Sequence, residues 1–392
     1  MASISSVTLH ILTPLVLVYI LNKKEGVIFY GEYAIVFSLL AVFITISDLG
    51  LSMEIPKRLI KNNSNNSKMS EIISIYIFIK IISALFLSLI LYFLIPYEFS
   101  LKMIIIFSLI LKAIDLETIF IGLEQYGFIA LANLIIKLTY IALVVFLDLS
   151  ESGIYKIFLA HLLVTLLGAI IYYRELFLKN EFNFNRFSFT YTRNILAASL
   201  EFYFARFFSN LYMQGSTYAI SYLLTVDAIA VYSIAMNFYK AGISIIGGVG
   251  RVLYTYLIKT MDFDVLKSTT LTSIIIQACF FPIVFIFGGH FLDLLLEFDV
   301  SLLFKLSIFL YCSLSFSIIN SYWGYPLFTA IKCDRIGHFC NITSAISYFI
   351  VFILLLIFRE ITIINAVICI VIADFIGAVL KLTFALNKKI LP

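Results

Sequence analysis

VYSIAMNFYKAGISIIGGVGRVLYTYLIK, residues 231–259, is longer than the ~20 apolar residues a helix needs to cross a bilayer, yet it contains Lys240 and Arg251. A charge at the centre of a membrane helix costs about 2.5–3.5 kcal/mol on insertion scales, so each cation needs a physical reason to be there. Of the chain's 392 residues, 62% are hydrophobic and 13% charged. That is about half the charged share of an average soluble protein, and apolar stretches of similar length recur from end to end. Segments of about ten residues alternating in polarity, the mark of a transmembrane barrel, are not evident. The chain therefore reads as an all-α polytopic membrane protein. Its formal charge of +4 says little about partners, because the distribution of Lys and Arg matters more than their sum. Nothing in the pattern suggests nucleic acid binding.

Segmentation by apolar runs predicts about twelve transmembrane helices, centred near residues 12, 42, 84, 111, 138, 164, 208, 243, 277, 311, 347 and 373. The longest polar connections, 53–71 and 174–194, are rich in Lys and Arg, which places them in the cytoplasm together with both termini. In that orientation roughly fourteen basic residues lie inside and about five outside, with NKKEG at 22–26 as the discordant outer loop. The start, MASISSVTLHILTPLVLVYIL, has no charged n-region, so the first helix is expected to remain in the protein.

The second long connection divides the chain into an N-terminal six-helix lobe, 1–180, and a C-terminal one, 181–392. The lobes echo each other. YGEYAIVFSLLAVFITISDLGLSMEIPKRLIK, from Tyr30, overlays AIAVYSIAMNFYKAGISIIGGVGRVLYTYLIK, from Ala228, at an offset of about 198 residues. An even number of helices per half makes the repeats parallel, giving two pseudo-symmetric lobes around a central cavity.

Polar side chains fall in helical register. Ser233, Asn237, Lys240, Ser244, Gly247, Arg251 and Tyr254 share one face, and Ser199, Tyr203, Arg206, Asn210, Gln214, Thr217 and Ser221 share another. Weaker stripes in the first half include Thr45–Asp48–Ser52, Tyr76–Lys80–Ser83, Ser108–Lys112–Asp115 and Asn133–Lys137–Tyr140, and Asp374 shares a face with Lys381 near the end. Lys112 and Asp115, three residues apart, are predicted to pair. Lys80, Lys381 and Arg251 suit snorkelling to an interface, whereas Lys240, flanked by Asn237 and Ser244, suits the wall of a wet cavity. Surplus cations on such a wall fit an anionic ligand, which Arg grips bidentately and Lys meets as a point charge. The glycines of IIGGVG either admit a neighbouring helix or let this one bend.

Five cysteines form no CxxC pair, and CDRIGHFC, residues 333–340, lacks a fourth ligand, so no metal site is expected. His10, His161 and His290 read as packing or interfacial residues.

These segments resemble a known family. FYGEYAIVFSLLAVFITISDLGLSMEIPKRLIK, FIGLEQYG at 120–127 and YTRNILAASLEFYFARFFSN are similar to the corresponding regions of polysaccharide (O-antigen) repeat-unit flippases of the Wzx type, within the multidrug/oligosaccharidyl-lipid/polysaccharide exporter superfamily. The resemblance implies translocation of an undecaprenyl-diphosphate-linked oligosaccharide across the bacterial inner membrane by alternating access, not enzymatic catalysis. It also implies a cation-rich cavity of Arg206, Lys240, Arg251, Lys112 and Lys137, with Asn210 and Asn237 on the same faces. No cofactor is implied. A proton or sodium gradient would supply the energy through Asp48, Asp115 or Asp374, and the partners would be the lipid-linked saccharide, the bilayer, and the polymerase and chain-length regulator of the same pathway. A drug or cation antiporter or a related lipid flippase of this fold would differ mainly in its cavity charges. A polymerase or ligase would carry a large outer loop, and every predicted outer loop here is short.

Overall fold

The structure, a computed structural model, describes residues 2–62, 65–149, 153–179, 188–296 and 298–387, and of residues 2–11, 179, 201, 202, 205, 206, 209 and 255 the backbone alone. Every described element is an α-helix: α1 Ala2–Asp48, α2 Leu51–Lys61, α3 Asn66–Leu94, α4 Phe99–Ala113, α5 Glu117–Gly122, α6 Tyr126–Phe146, α7 Gly153–Lys179, α8 Phe189–Ser221, α9 Val226–Thr260, α10 Phe263–Leu295, α11 Ser301–Tyr322, α12 Tyr325–Ala330, α13 Asp334–Phe358 and α14 Ile363–Asn387. Nine of the described helices are long and apolar enough to cross a membrane. Each of the twelve expected centres falls in a helix, because α1 is two segments joined at Gly26, whose φ of 85° and ψ of 177° break the helical backbone. The two segments outside the nine are α4, only 15 residues long, and α8, which the charges Arg193, Glu201 and Arg206 make less apolar.

Apolar side chains face outward along much of this length, Phe280, Ile283, Phe285, Ile286 and Phe287 of α10 among them, each more than half exposed. In water such a surface would aggregate; against lipid tails it is the expected exterior. The protein is a multi-pass membrane protein.

The sequence suggests a polar loop over 53–71, but most of it is helix, 53–61 in α2 and 66–71 in α3. Leu51, Ile55 and Leu59 recur every fourth residue and are fully buried against Ile72, Ile75, Ile119 and Phe120, so α2 is held by its apolar stripe while Lys57 and Lys61 point to solvent.

The chain forms two compact units: residues 1–9 with 36–210, and residues 10–35 with 211–392. A cut at residue 180 assigns two segments differently. Residues 10–35 belong with the second unit because Gly31 lies against Val226 and Ala230 of α9, and Asn237 donates to the Tyr30 hydroxyl at 2.7 Å. The first part of α8 belongs with the first unit because Gly50 lies against Ser199.

Each unit also contains a short helix closed by a matching turn. The short helix α5 stands between α4 and α6, and α12 stands between α11 and α13. Each ends in a left-handed residue, Glu124 (φ 58°) or Lys332 (φ 56°). The closing bonds correspond: Gln125 N–H donates to the Phe120 carbonyl at 3.0 Å, and Cys333 N–H to the Phe328 carbonyl at 2.7 Å. Phe120 and Phe328 are both fully buried. On α9, a methyl group on Gly242 would meet Leu314 and one on Gly250 would meet Ser321 of α11, each at 2.7 Å, while Gly247 and Gly248 have open space. Close approach, not bending, accounts for Gly242 and Gly250.

Candidate functional site

In the first unit, α1 ends at Asp48, and the DLGL run that follows turns the chain through two left-handed residues, Leu49 (φ 48°) and Gly50 (φ 77°). Asp48 Oδ2 accepts from the Ser52 hydroxyl at 2.7 Å and Ser52 N–H at 3.4 Å, which holds the first turn of α2. Its other oxygen, Oδ1, accepts from Lys80 Nζ of α3 at 3.2 Å. Lys112 and Asp115 form the predicted pair at the end of α4. Asp115 Oδ1 also accepts from Glu117 N–H at 2.9 Å, and the Tyr76 hydroxyl donates to the Asp115 carbonyl at 2.9 Å. Glu117 accepts in turn from Asn133 of α6 at 3.2 Å.

These groups surround a cavity of about 310 Å³, whose wall includes Thr45, Asp48, Lys80, Lys112, Asp115, Tyr203, Phe207 and Asn210. Gly50 determines how closely α8 approaches. A methyl group there would stand 2.3 Å from the Ser199 carbonyl and 3.2 Å from the Tyr203 Cβ, so its absence lets the Tyr203 and Phe207 rings form one side of the cavity.

The second unit has a different electrostatic character. Lys240 is half-buried on α9, and its ammonium donates to Gln214 Oε1 of α8 at 2.9 Å. Among the described residues no carboxylate lies within ion-pair distance of Lys240. One turn away Asn237 binds Tyr30. Behind Lys240, on the buried side of α9, Tyr239 donates to Asp374 of α14, which also accepts from Ser313 at 2.8 Å and Ser317 at 3.3 Å of α11. Lys381 donates to the Asn320 carbonyl and side-chain oxygen at 3.0 and 3.1 Å.

A family model described as polysaccharide biosynthesis protein matches residues 2–261. The chain belongs to that family. No curated protein matches it, but solved structures do. The chain is similar to the lipid II flippase MurJ in an inward closed conformation (16% identity, TM-score 0.73, 98% of this chain and 86% of that one). It is also similar to an inward-facing multidrug resistance MATE family transporter of the MOP superfamily (14%, 0.70, 96% and 94%) and to the eukaryotic MATE transporter AtDTX14 (14%, 0.68, 98% and 93%). At these identities the likeness shows the fold alone.

The predicted site residues fall into separate settings. Lys112 and Asn210 line the first-unit cavity together with Asp48 and Asp115. Lys137 is half-buried on α6. Lys240, Asn237 and Asp374 belong to the second unit. Arg251 is exposed on α9, and the Arg206 side chain lies outside the described residues.

Snorkelling is corrected for two lysines. Lys80 is 5% exposed and ion-paired to another helix, and Lys381 is 3% exposed and held by Asn320. Both are anchored from neighbouring helices, which a single helical wheel does not display. Glu117, Gln214, Tyr239, Ser313 and Ser317 were missed as site residues. Gln214 stood on the α8 stripe, but its partner belongs to another stripe; Tyr239 lies off the polar face of α9, on the buried side. Among the described residues no group of His, Cys, Asp and Glu is arranged to hold a metal ion. His161 packs edge-on to Phe37 and Tyr140, and His338 meets the Tyr325 hydroxyl at 3.1 Å.

Proposed function

We propose that this protein is a flippase that carries a lipid-diphosphate-linked oligosaccharide, an O-antigen or related repeat unit, across the bacterial cytoplasmic membrane by alternating access. The observation that carries the reading is Lys240. It is a half-buried ammonium among neutral hydrogen-bonding groups, with Gln214 as its hydrogen-bond acceptor. A cation kept in an apolar helix with no counter-ion among the described residues suits a ligand that brings the negative charge with it, as a diphosphate does. Family membership and the transporter fold support the same class of activity. The polymerase and chain-length regulator of the pathway would receive the product on the outer face.

Asp374 suits coupling to a proton or sodium gradient better than Asp48 or Asp115. The latter two are committed to Lys80 and Lys112, whereas the hydrogen bonds that the Asp374 carboxylate accepts come from hydroxyls.

The test is export of repeat units in a strain lacking the gene, normalised to the amount of each variant in the membrane. Lys240→Arg should retain partial export. Lys240→Ala should lose most of it at normal protein level, and Lys240→Glu, which repels an anion, should be worst. Asp374→Asn should leave the protein in the membrane but remove the response of export to the ion gradient. Wild-type export by Lys240→Glu would end the anion assignment. Lipid-linked units accumulating on the outer leaflet of the deletion strain would indicate a polymerase or ligase.

A further inference from the structure

Two adjacent glycines of α9, Gly247 and Gly248, are not explained by packing, because a methyl group on either would meet open space. Glycine inside a helix weakens it through backbone entropy, so the pair costs α9 stability without gaining it a contact. Their counterparts earlier in the chain show what such a pair makes possible. When the two stretches that echo each other in sequence are aligned on their shared LIK, residues 59–61 and 257–259, Ile246, Gly247 and Gly248 fall on Asp48, Leu49 and Gly50. At Leu49 and Gly50 the helix breaks through two left-handed residues and α2 begins. Over the equivalent residues α9 runs on as helix.

The surroundings correspond as well. Ile55 and Leu59 of α2 are buried with Ile119 and Phe120 of α5, and Leu253 and Leu257 of α9 are buried with Leu327 and Phe328 of α12. The difference lies in what holds the break. Leu49 takes a backbone conformation unfavourable to a side chain, and Asp48 offsets this by accepting from the N–H and hydroxyl of Ser52 in the first turn of α2. Ile246, at the Asp48 position, has no oxygen with which to cap a new helix, so α9 stays continuous. Glycine enters the left-handed region without steric cost, so a break at Gly247 and Gly248 lacks the cap but also lacks the strain. Its place along the helix is apt. From Val226 to Gly247 α9 rises about 33 Å, enough for a hydrocarbon core of about 30 Å, and the rest, to Thr260, is the part that corresponds to α2.

The two parts of α9 have different partners. Before the glycines, the Tyr239 hydroxyl bonds with Ser317 at 3.0 Å and with Asp374, and Gly242 lies against Leu314. After them, Leu253 and Leu257 pack with α12, and Gly250 meets α11 in its last turn at Ser321. From the matched positions, the open space and these separate attachments, we propose that α9 is hinged at Gly247–Gly248. It exchanges between the continuous helix and a form broken by the left-handed turn seen at Leu49–Gly50, in which residues 249–260 swing together with α12. For its role, opening and closing the Thr260 end of the helix face that bears Lys240, the hinge rests on the alternating-access reading above.

Double electron–electron resonance on the full-length protein in lipid nanodiscs reads the hinge directly. Spin labels are placed at Asp227→Cys and Lys259→Cys, exposed positions near the two ends of α9, in a background with the native cysteines replaced. The continuous helix sets these backbones about 48 Å apart, and a bend of about 60–90° at the glycines brings them to roughly 36–42 Å. The wild type should show both distances. Gly247→Ala/Gly248→Ala, which strengthens the helix, should keep the long distance and lose the short one, and its export in the deletion strain should fall several-fold at normal protein level. Gly289→Ala, at a glycine of α10 that also faces open space, should change neither readout. A single long distance in the wild type, or a short population that survives the double substitution, would overturn the hinge, and wild-type export by the double variant would overturn its role. The readouts keep the two readings apart. Both distances in a protein that exports nothing would leave the hinge standing and count against the flippase, whereas export with a single distance would do the reverse.

Discussion

Lys80 and Lys240 are each a lysine on a polar stripe of an apolar helix. Their surroundings give them opposite roles. Lys80 is 5% exposed and pairs with Asp48, so its charge is a structural element joining α1 to α3. Removing one member of a buried ion pair typically costs about 3–5 kcal/mol because the other is left uncompensated. Asp48 keeps a quarter of its side chain exposed, which places Asp48→Ala toward the lower end, at about 3 kcal/mol. Adding Lys80→Met should recover most of that loss, since no orphan charge then remains. The check is the thermal midpoint of the purified protein in detergent for the single and double variants. Equal midpoints for wild type and Asp48→Ala would show that the pair carries no stability. At Lys240 the same logic predicts little loss of stability on neutralisation, because its partner Gln214 is uncharged.

The elements were legible where apolar periodicity decides them and obscure where a turn does. Runs of apolar residues located every long helix, and the fourfold spacing of Leu51, Ile55 and Leu59 was present in the sequence, but the charges of MEIPKRLIK concealed it. The DLGL run stood out as a motif, yet nothing local indicates that Leu49 as well as Gly50 takes a left-handed backbone, or that the glycine faces the Ser199 carbonyl of a helix far along the chain. That second constraint comes from tertiary packing and explains why the cavity's aromatic wall was missed. It also gives a prediction. Gly50→Ala places a side chain in a left-handed conformation, at a cost of about 1–2 kcal/mol, and drives a methyl group into backbone 2.3 Å away. Gly247→Ala on α9, where space is open, should instead be neutral or slightly stabilising, by up to about 1 kcal/mol. The thermal midpoint should therefore fall in Gly50→Ala and stay level or rise in Gly247→Ala. A wild-type midpoint for Gly50→Ala would mean that α8 does not approach the DLGL turn as closely as described.

At the scale of the whole molecule, helix parity converts the charge pattern into a topology. From Asn65, before α3, to Glu360, after α13, the chain runs through α3, α4, α6, α7, α8, α9, α10, α11 and α13. If every one of these crosses the membrane, the number of crossings is odd and the two positions lie on opposite sides. The basic residues Lys57, Arg58, Lys61 and Lys68 flank Asn65, so that side is expected to be cytoplasmic. In a background with all five cysteines replaced, which matters because Cys279 and Cys312 are exposed, Asn65→Cys should resist an impermeant thiol reagent in intact spheroplasts. Glu98→Cys, between α3 and α4, and Glu360→Cys should both react. Asn65 accepts a cap bond from Lys68 N–H at 3.1 Å, and its loss, about 1 kcal/mol, is small enough for the variant to fold. Inverted labelling at all three positions would reverse the orientation. Protection at Glu360 with reaction at Glu98 would mean that one of the helices between them does not span. The short α4 and the charged α8 are the candidates, and a further cysteine at Glu124 tells them apart: it is protected if α4 crosses and reactive if it does not.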